Sequence, residues 1–199
     1  MKNILWILGL LFSVSLAVTS CEETEGVVDP YYKWQERNER YIDSIAQVAK
    51  ANPDKWRVIL SYKITPDLNN LQQKTSDYIY CRMLEKGEGT MKPIYTDSVM
   101  MHYRGKLIPL YDGSEVVFDQ SFKGELNTET AVPVSFGVWD GVGGVIVGWT
   151  TALQQMVEGD RWEVYIPYNL AYGAYGQSSI PGYSTLIFDM QLVKISTNR

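Results

Sequence analysis

The sequence predicts an α+β fold in which antiparallel strands pack on one short helix, and three observations support this prediction. Alternation of apolar and polar residues marks four strands between residues 78 and 192. One short stripe of apolar residues at helical spacing, residues 149–157, lies between two of those strands. A longer stripe at residues 31–49 predicts a further helix ahead of the sheet. Strands in succession with a single helix among them are typical of α+β domains.

The composition excludes several classes of function. The chain has 199 residues, of which 45% are hydrophobic, enough for one sizeable core with a modest appendage. Its formal net charge is −5 and no basic block occurs, so we expect no nucleic-acid partner, because phosphate binding needs clustered positive charge. A single histidine and two distant cysteines do not supply a His/Cys metal cage, and we expect neither a metal nor a cofactor.

The first 20 residues have the features of a secretory signal peptide. Lys2 gives a positive start, and the mostly apolar residues 4–18 are too few for a spanning helix, which needs about 20. Small residues then precede Cys21, an ending that resembles a bacterial lipoprotein signal, in which the cysteine is acylated. The resemblance implies a lipid anchor at Cys21 and a place in the bacterial cell envelope, at the outer membrane, facing the periplasm or the cell surface. An ordinary cleaved signal with an incidental cysteine is the alternative.

A tether and a helix are predicted next. Residues 21–28 are acidic, small and aperiodic, as is typical of a tether. Asp29 and Pro30 predict the start of a helix, because Asp caps free amides and Pro fits the first turn, and the pair Asn52-Pro53 predicts its end. The apolar residues of this helix fall on one stripe: Tyr31, Trp34, Tyr41, Ile42, Ile45, Val48 and Ala49. The stripe packs either on the chain's own domain or on a second chain, which would make helix 29–50 an oligomer contact.

A domain boundary is predicted after this helix. Alternation over residues 56–64 indicates a strand, with a second short helix as the alternative. Residues 65–75 are polar and contain a proline and an Asn-Asn pair, which favours a linking segment. We therefore divide the chain into an N-terminal extension, residues 29–76, and a following domain, residues 77–199.

Within the domain, period-two alternation predicts strands at residues 78–84, 99–104, 161–166 and 186–192. The short helix is predicted from the spacing of its apolar residues, which are Trp149, Ala152, Leu153, Met156 and Val157. Residues 158–160, a Glu-Gly-Asp sequence, are expected to end it.

Several short motifs follow one another in this domain at a characteristic order and spacing. They are His102-Tyr103-Arg104-Gly105, Phe118-Asp119-Gln120-Ser121, Phe136, Val145-Ile146-Val147-Gly148-Trp149, Ala171-Tyr172-Gly173, Ile180-Pro181 and Phe188. The set resembles the FKBP-type peptidyl-prolyl cis-trans isomerases, over about residues 78–195. The resemblance implies the FKBP fold, a twisted antiparallel sheet wrapped around one short helix, and rotamase activity on X-Pro bonds.

The resemblance also implies a role for each matched residue. Tyr103, Asp119 and Tyr172 would be catalytic: Asp119 orients Tyr103, while the Tyr172 hydroxyl and the Ile146 amide hold the substrate. The residues that would bind the prolyl substrate are Phe118, Phe136, Val145, Ile146, Trp149, Ile180 and Phe188. Rotation about an X-Pro bond breaks no covalent bond, so an apolar pocket with a few donors suffices. The implied partners are proline-containing polypeptides, exported proteins among them, and an FKBP-directed macrolide inhibitor.

Departures from the family pattern leave a second hypothesis open. Val134 stands where many relatives have an aromatic residue, Gly182 replaces a frequent proline, and segments 107–117, 123–132 and 139–144 are longer than usual. The main hypothesis is an isomerase that assists the folding of exported proteins. The alternative is a non-catalytic peptide-binding module or holdase chaperone that uses the same pocket. A scaffold that captures partners through its N-terminal helix is a third.

Overall fold

An antiparallel sheet of seven strands organises the chain, whose computed structural model describes residues 28–66 and 73–197. The strands are β1 (Trp56–Leu60), β2 (Tyr78–Glu85), β3 (Ser98–Leu107), β4 (Val117–Gln120), β5 (Val134–Gly137), β6 (Arg161–Ile166) and β7 (Leu186–Ser196). The helices are α1 (Trp34–Ala51) and α2 (Val147–Leu153), and short 3-10 turns occur at Thr75–Asp77 and Tyr168–Leu170. The predicted signal peptide 1–20, the acyl acceptor Cys21 and nearly all of the tether lie outside the described residues. In the described part, no helix has both the length and the apolar character that crossing a bilayer requires.

The strand order places the long strands β3 and β7 side by side. The order is β1-β2-β6-β7-β3-β4, and β5 also pairs with β3. Strands β4 and β5 share one edge of β3: β5 pairs with residues 98–101 and β4 with residues 104–106. Tyr103 lies between these two ladders. There Ser121 makes the backbone hydrogen bonds that a neighbouring strand would otherwise make. Its hydroxyl accepts from the Tyr103 amide at 2.9 Å, and its own amide donates to the Tyr103 carbonyl at 2.9 Å.

Helix α2 lies directly on the sheet, and a glycine makes the close approach possible. A Cβ atom at Gly148 would lie 2.3 Å from the Cγ2 atom of Ile166 in β6. Trp149, Ala152 and Leu153 are all buried in the core between this helix and the sheet. This arrangement, together with α1, confirms the predicted α+β fold class of an antiparallel sheet with one short helix and an N-terminal helix.

Helix α2 is shorter than predicted. It begins at Val147 and ends at Leu153, whereas the apolar stripe continued to Val157. Beyond Leu153 the chain tightens, because the Gln155 amide donates to the carbonyl of Ala152 three residues back. The Asp160 carboxylate then accepts from the amides of Val157 and Gly87, both at 2.9 Å, and so ties this segment to the end of β2. Met156 lies beyond the end of the helix but is fully buried. The apolar residue at this position of the sequence pattern therefore reflects burial and not a helical conformation.

Helix α1 begins later than predicted. The side chain and the carbonyl of Asp29 accept from the amides of Tyr31 and Tyr32, which forms a separate turn. Lys33 then adopts a left-handed conformation with φ 50°, so the helix starts only at Trp34. Its end at Ala51, directly before Asn52-Pro53, agrees with the prediction.

The apolar stripe of α1 packs on the chain's own sheet. The Trp34 indole donates to the Ser184 hydroxyl at 2.9 Å, and the buried Asn38 amide oxygen accepts from the Thr185 backbone at 2.7 Å. Tyr41 packs near Tyr165 of β6, with ring centroids 6.3 Å apart. This is the first of the two predicted interpretations of the stripe; pairing with a second chain stays a prediction.

The remaining strands follow the alternation only in part. β2, β3, β6 and β7 lie where strands were predicted, and β1 forms as a strand and not as the alternative helix. β1 ends at Leu60 because residues 61–64 turn, with the Ile64 amide donating to the Ser61 carbonyl. β4 and β5 were not predicted as strands, since four residues are too few to show a period of two.

Candidate active site

A cavity of about 110 Å³ opens beside Trp149, and we name it the prolyl cavity after the group that the resemblance to the FKBP family implies it would bind. The residues that line it are Tyr103, Phe118, Asp119, Phe136, Gly144, Val145, Ile146, Trp149, Tyr172 and Phe188. The structure thus brings together every predicted site residue of the domain except Ile180. Ile180 is buried in the core, and its carbonyl and amide pair with Gln177 instead.

Gly144 is the one lining residue that sequence reasoning missed. A Cβ atom there would lie 2.0 Å from the carbonyl oxygen of Trp139. Only glycine therefore allows the backbone of residue 144 to pass this close to Trp139. The Val145 amide donates to the same Trp139 carbonyl at 2.9 Å. The signal was present as a glycine-rich run, but it indicated a turn and not a cavity wall.

Trp149 stands at the centre of the aromatic side chains. Its ring contacts Tyr103, Phe136 and Phe188 at centroid distances of 5.4, 5.1 and 5.2 Å. All three contacts are edge-on, with interplanar angles of 81°, 70° and 83°. Edge-on pairs place the positive rim of one ring against the negative face of another and hold both rings in place. The indole is only 4% exposed, so a buried aromatic ring forms this part of the cavity wall.

Tyr103 carries the polar contact that the resemblance implied. Its hydroxyl donates to the Asp119 carboxylate at 2.8 Å, across the edge between β3 and β4. Burial, this hydrogen bond and the negative charge of Asp119 all raise the pKa of Tyr103. The phenol therefore keeps its proton at neutral pH, where an unperturbed tyrosine, with a pKa of about 10, is already neutral.

Two further residues that carry hydrogen-bond donors, Tyr172 and Ile146, also line the cavity. Tyr172 follows the 3-10 turn Tyr168–Leu170, and burial and the Asp119 charge raise the pKa of its phenol. Ile146 precedes α2 in an extended conformation, and its carbonyl accepts from Trp149 and Thr150. No backbone or side-chain acceptor in the described part of the chain takes the Ile146 amide. Both groups can therefore donate to a carbonyl in the cavity.

His102 and Cys81, the residues that could act as nucleophile or base, lie elsewhere. Both are buried and neither lines the prolyl cavity. Burial lowers the pKa of His102 and raises the pKa of Cys81, so each is held in its neutral form. The arrangement suits binding and orientation of an apolar group more than covalent chemistry.

A sequence model of the family described as FKBP-type peptidyl-prolyl cis-trans isomerase matches residues 89–193, just over half of the chain. The match includes β3 to β6, most of β7, helix α2 and every residue of the prolyl cavity, while α1, β1 and β2 lie before it. The protein therefore belongs to the FKBP family.

Two curated relatives show how far the likeness extends. The FKBP-type 22 kDa peptidyl-prolyl cis-trans isomerase of Escherichia coli is 43% identical over 123 residues, which are 61% of this chain and 52% of the relative. A probable FKBP-type isomerase, FkpA, of Neisseria meningitidis is 33% identical over 162 residues, 81% of this chain and 53% of the relative. The chain thus spans about half the length of these relatives.

Solved structures of the family agree with the fold. The crystal structure of FkpA from Escherichia coli superposes with a TM-score of 0.55 at 28% identity, covering 84% of this chain and 63% of that one. A peptidyl-prolyl cis-trans isomerase from Pseudomonas syringae superposes with a TM-score of 0.54, also at 28% identity, covering 82% of this chain and 96% of that one.

Proposed function

We propose that this protein is a peptidyl-prolyl cis-trans isomerase that accelerates X-Pro bond rotation in exported polypeptides. The observation that carries the proposal is the prolyl cavity, in which Trp149 is enclosed by three edge-on rings and Tyr103 is held by Asp119. Membership of the family supports the same activity.

The chemistry follows from the barrier to rotation. Amide resonance opposes rotation by about 18–20 kcal/mol and favours a planar, polar ground state. An apolar cavity disfavours that polar state, whereas a twisted bond with a localised carbonyl loses less on leaving water. The proline ring would lie against Trp149, while the Tyr172 hydroxyl and the Ile146 amide donate to the carbonyls on either side. The hydrogen bond from Tyr103 to Asp119 keeps one wall of the cavity in position. The reaction makes and breaks no covalent bond.

Isomerase activity can be tested with a matched pair of variants. We expect Tyr172→Phe to lower kcat/KM about tenfold, because one hydrogen bond to the substrate is lost while the ring remains. Tyr175→Phe is the control, since Tyr175 lies in the same loop with its side chain 99% exposed. Both are measured in an isomer-specific peptide assay, with and without an FKBP-directed macrolide that competes for the cavity.

The assay also separates the isomerase from the holdase alternative. Val142 and Tyr175, on the two loops beside the cavity, are fully exposed, and such apolar tips suit contact with unfolded chains. A wild-type protein that prevents aggregation but accelerates no rotation would support the holdase instead. Its action would also be indifferent to Tyr172→Phe.

We further propose a lipid-anchored location in the bacterial cell envelope, at the outer membrane and facing the periplasm or the cell surface. Its support is the apolar segment 4–18 and the small residues before Cys21. Incorporation of labelled palmitate in a bacterial host should be lost in Cys21→Ser and kept in Cys81→Ser, in which the buried thiol is replaced. Equal labelling of both variants would contradict the anchor.

A further inference from the structure

A second and larger cavity, of about 550 Å³, adjoins the prolyl cavity, and we name it the flanking groove. The two share Gly144, Val145, Ile146 and Tyr172, so they meet along one wall. On one side the flanking groove is bounded by residues 140–142 of the enlarged loop, and on the other by Ala171 and Gln177. Its lining is mostly glycine and aliphatic side chains.

The start of that enlarged loop, at Asp140, is held in part by the N-terminal extension. The Asp140 carboxylate accepts from the hydroxyls of Tyr62 and Tyr95 and from the Lys63 ammonium group, and the last of these contacts is 2.5 Å long. We name these four residues the Asp140 cluster. The Asp140 side chain is 12% exposed although it lies on a surface loop. Burial would raise the pKa of Asp140, but the hydrogen bonds from Lys63, Tyr62 and Tyr95 outweigh it and lower the pKa.

The extension is itself anchored to the helix that carries Trp149. The Tyr62 amide donates to the Thr151 hydroxyl at 3.4 Å, and this hydroxyl donates to the Val147 carbonyl within α2. The Ser61 amide donates to the Asp77 carbonyl at 2.9 Å. Tyr62 therefore contacts the loop through its side chain, which bonds to Asp140, and the pocket helix through its backbone amide, which bonds to Thr151.

Hydrogen bonds within the loop close it on itself: the Gly141 amide donates to the Val145 carbonyl, the Gly144 amide to the Gly141 carbonyl, and the Trp139 indole to the Val142 carbonyl. Gly141 and Gly143 have positive φ values of 95° and 73°. A Cβ atom at either position would have no neighbouring atom within 4 Å. The Val142 side chain between them is fully exposed. The contacts of Asp140 with Tyr62 and Lys63 tie this loop to the N-terminal extension.

We propose that Tyr62 and Lys63 are positioning residues that hold Asp140, and with it the loop, as the wall of a subsite for the substrate residues next to proline. The proposal rests on the isomerase function. A chain with its proline on Trp149 continues beyond the prolyl cavity on both sides of the proline, and the flanking groove adjoins that cavity along their shared wall. Because Lys63 pairs with Asp140 and seven of the ten lining residues are glycine or aliphatic, the groove offers an apolar surface to the neighbours of proline.

The test compares two peptides that share the same X-Pro bond. One is short and has its proline near its ends; the other is extended on both sides with apolar residues. For Lys63→Met we expect the ratio of kcat/KM, long over short, to fall about five- to tenfold, mainly through KM for the long peptide. Tyr62→Phe, which removes only a hydroxyl, should lower the ratio in the same direction, and Lys63→Arg should restore it. Lys86→Met, at an exposed lysine outside the cluster, is the control.

Each outcome decides the proposal. An unchanged ratio in Lys63→Met and Tyr62→Phe, or an equal loss with both peptides, would overturn it, because the cluster would then support the whole fold and no subsite. If the wild-type protein turns over neither peptide, the isomerase function fails separately. Fluorescence anisotropy of the labelled long peptide then decides: weaker binding to Lys63→Met supports the groove, and equal binding rejects it.

Discussion

Replacing Trp149 with alanine should reduce kcat/KM for prolyl isomerisation about a hundredfold, which is about 2.7 kcal/mol in activation free energy. The indole contacts three aromatic rings edge-on, and each such pair contributes about 0.5–1.5 kcal/mol beyond its buried area. Without it, Tyr103, Phe136 and Phe188 lose a common neighbour and the proline ring loses its contact surface. Truncation of a buried tryptophan also lowers the free energy of unfolding by about 3–5 kcal/mol.

A second tryptophan separates activity from stability in this experiment. Trp162 in β6 is 1% exposed and does not line the prolyl cavity, so Trp162→Ala should lose comparable stability. We expect its folded fraction to retain wild-type kcat/KM when both variants are assayed well below their unfolding midpoints. Urea unfolding gives the stability and a peptide assay gives the activity. A folded Trp149→Ala protein with wild-type activity would contradict the proposed role of the indole.

Replacing Gly105 with alanine is expected to displace two aromatic rings that line the prolyl cavity. A Cβ atom there would lie 2.6 Å from ring atoms of both Phe118 and Phe188, which line the cavity and meet edge-on 5.5 Å apart. Gly105 is a strand residue with no positive φ, so alanine would otherwise suit the backbone better than glycine. Instead, we expect Gly105→Ala to destabilise the protein by about 1–3 kcal/mol, as overpacking does. The displaced rings should lower kcat/KM about tenfold.

A double-mutant cycle identifies the cause of this loss. Phe118→Leu removes the ring atoms that the new methyl group would meet, so it should recover part of the stability lost in Gly105→Ala. Chemical unfolding of the two single variants and the double variant supplies the coupling free energy. Strictly additive effects would show that the clash with Phe118 is not the source of the destabilisation.

Local signals in the sequence were sufficient for much of this structure. The alternation in β3 and β7 and the spacing of Trp149, Ala152 and Leu153 predicted the main strands and the pocket helix. Nearly all cavity residues were implied by the resemblance of the ordered motifs to the FKBP family, and not by a local pattern alone.

Interactions between distant segments were beyond such signals. Helix α1 starts at Trp34 because Asp29 bonds to its own neighbours, and no propensity distinguishes that turn from a helix cap. Lys63 and Asp140 are 77 residues apart, so no period or spacing links them. Gly144 indicated a turn, but its contact with Trp139 depends on how the loop closes. Ile180 matched a motif, but its backbone pairs with Gln177 and its side chain packs in the core instead of lining the cavity.

The pairing of β3 with β7 also determines when the protein can become active. These strands form the longest ladder of the sheet, yet about 80 residues of chain separate them, and pairing over such a distance is slow because a large loop must close first. β7 is the last strand and supplies Phe188 to the prolyl cavity. The prolyl cavity is therefore incomplete until this long-range ladder has formed, so completion of the sheet and completion of the cavity are one event.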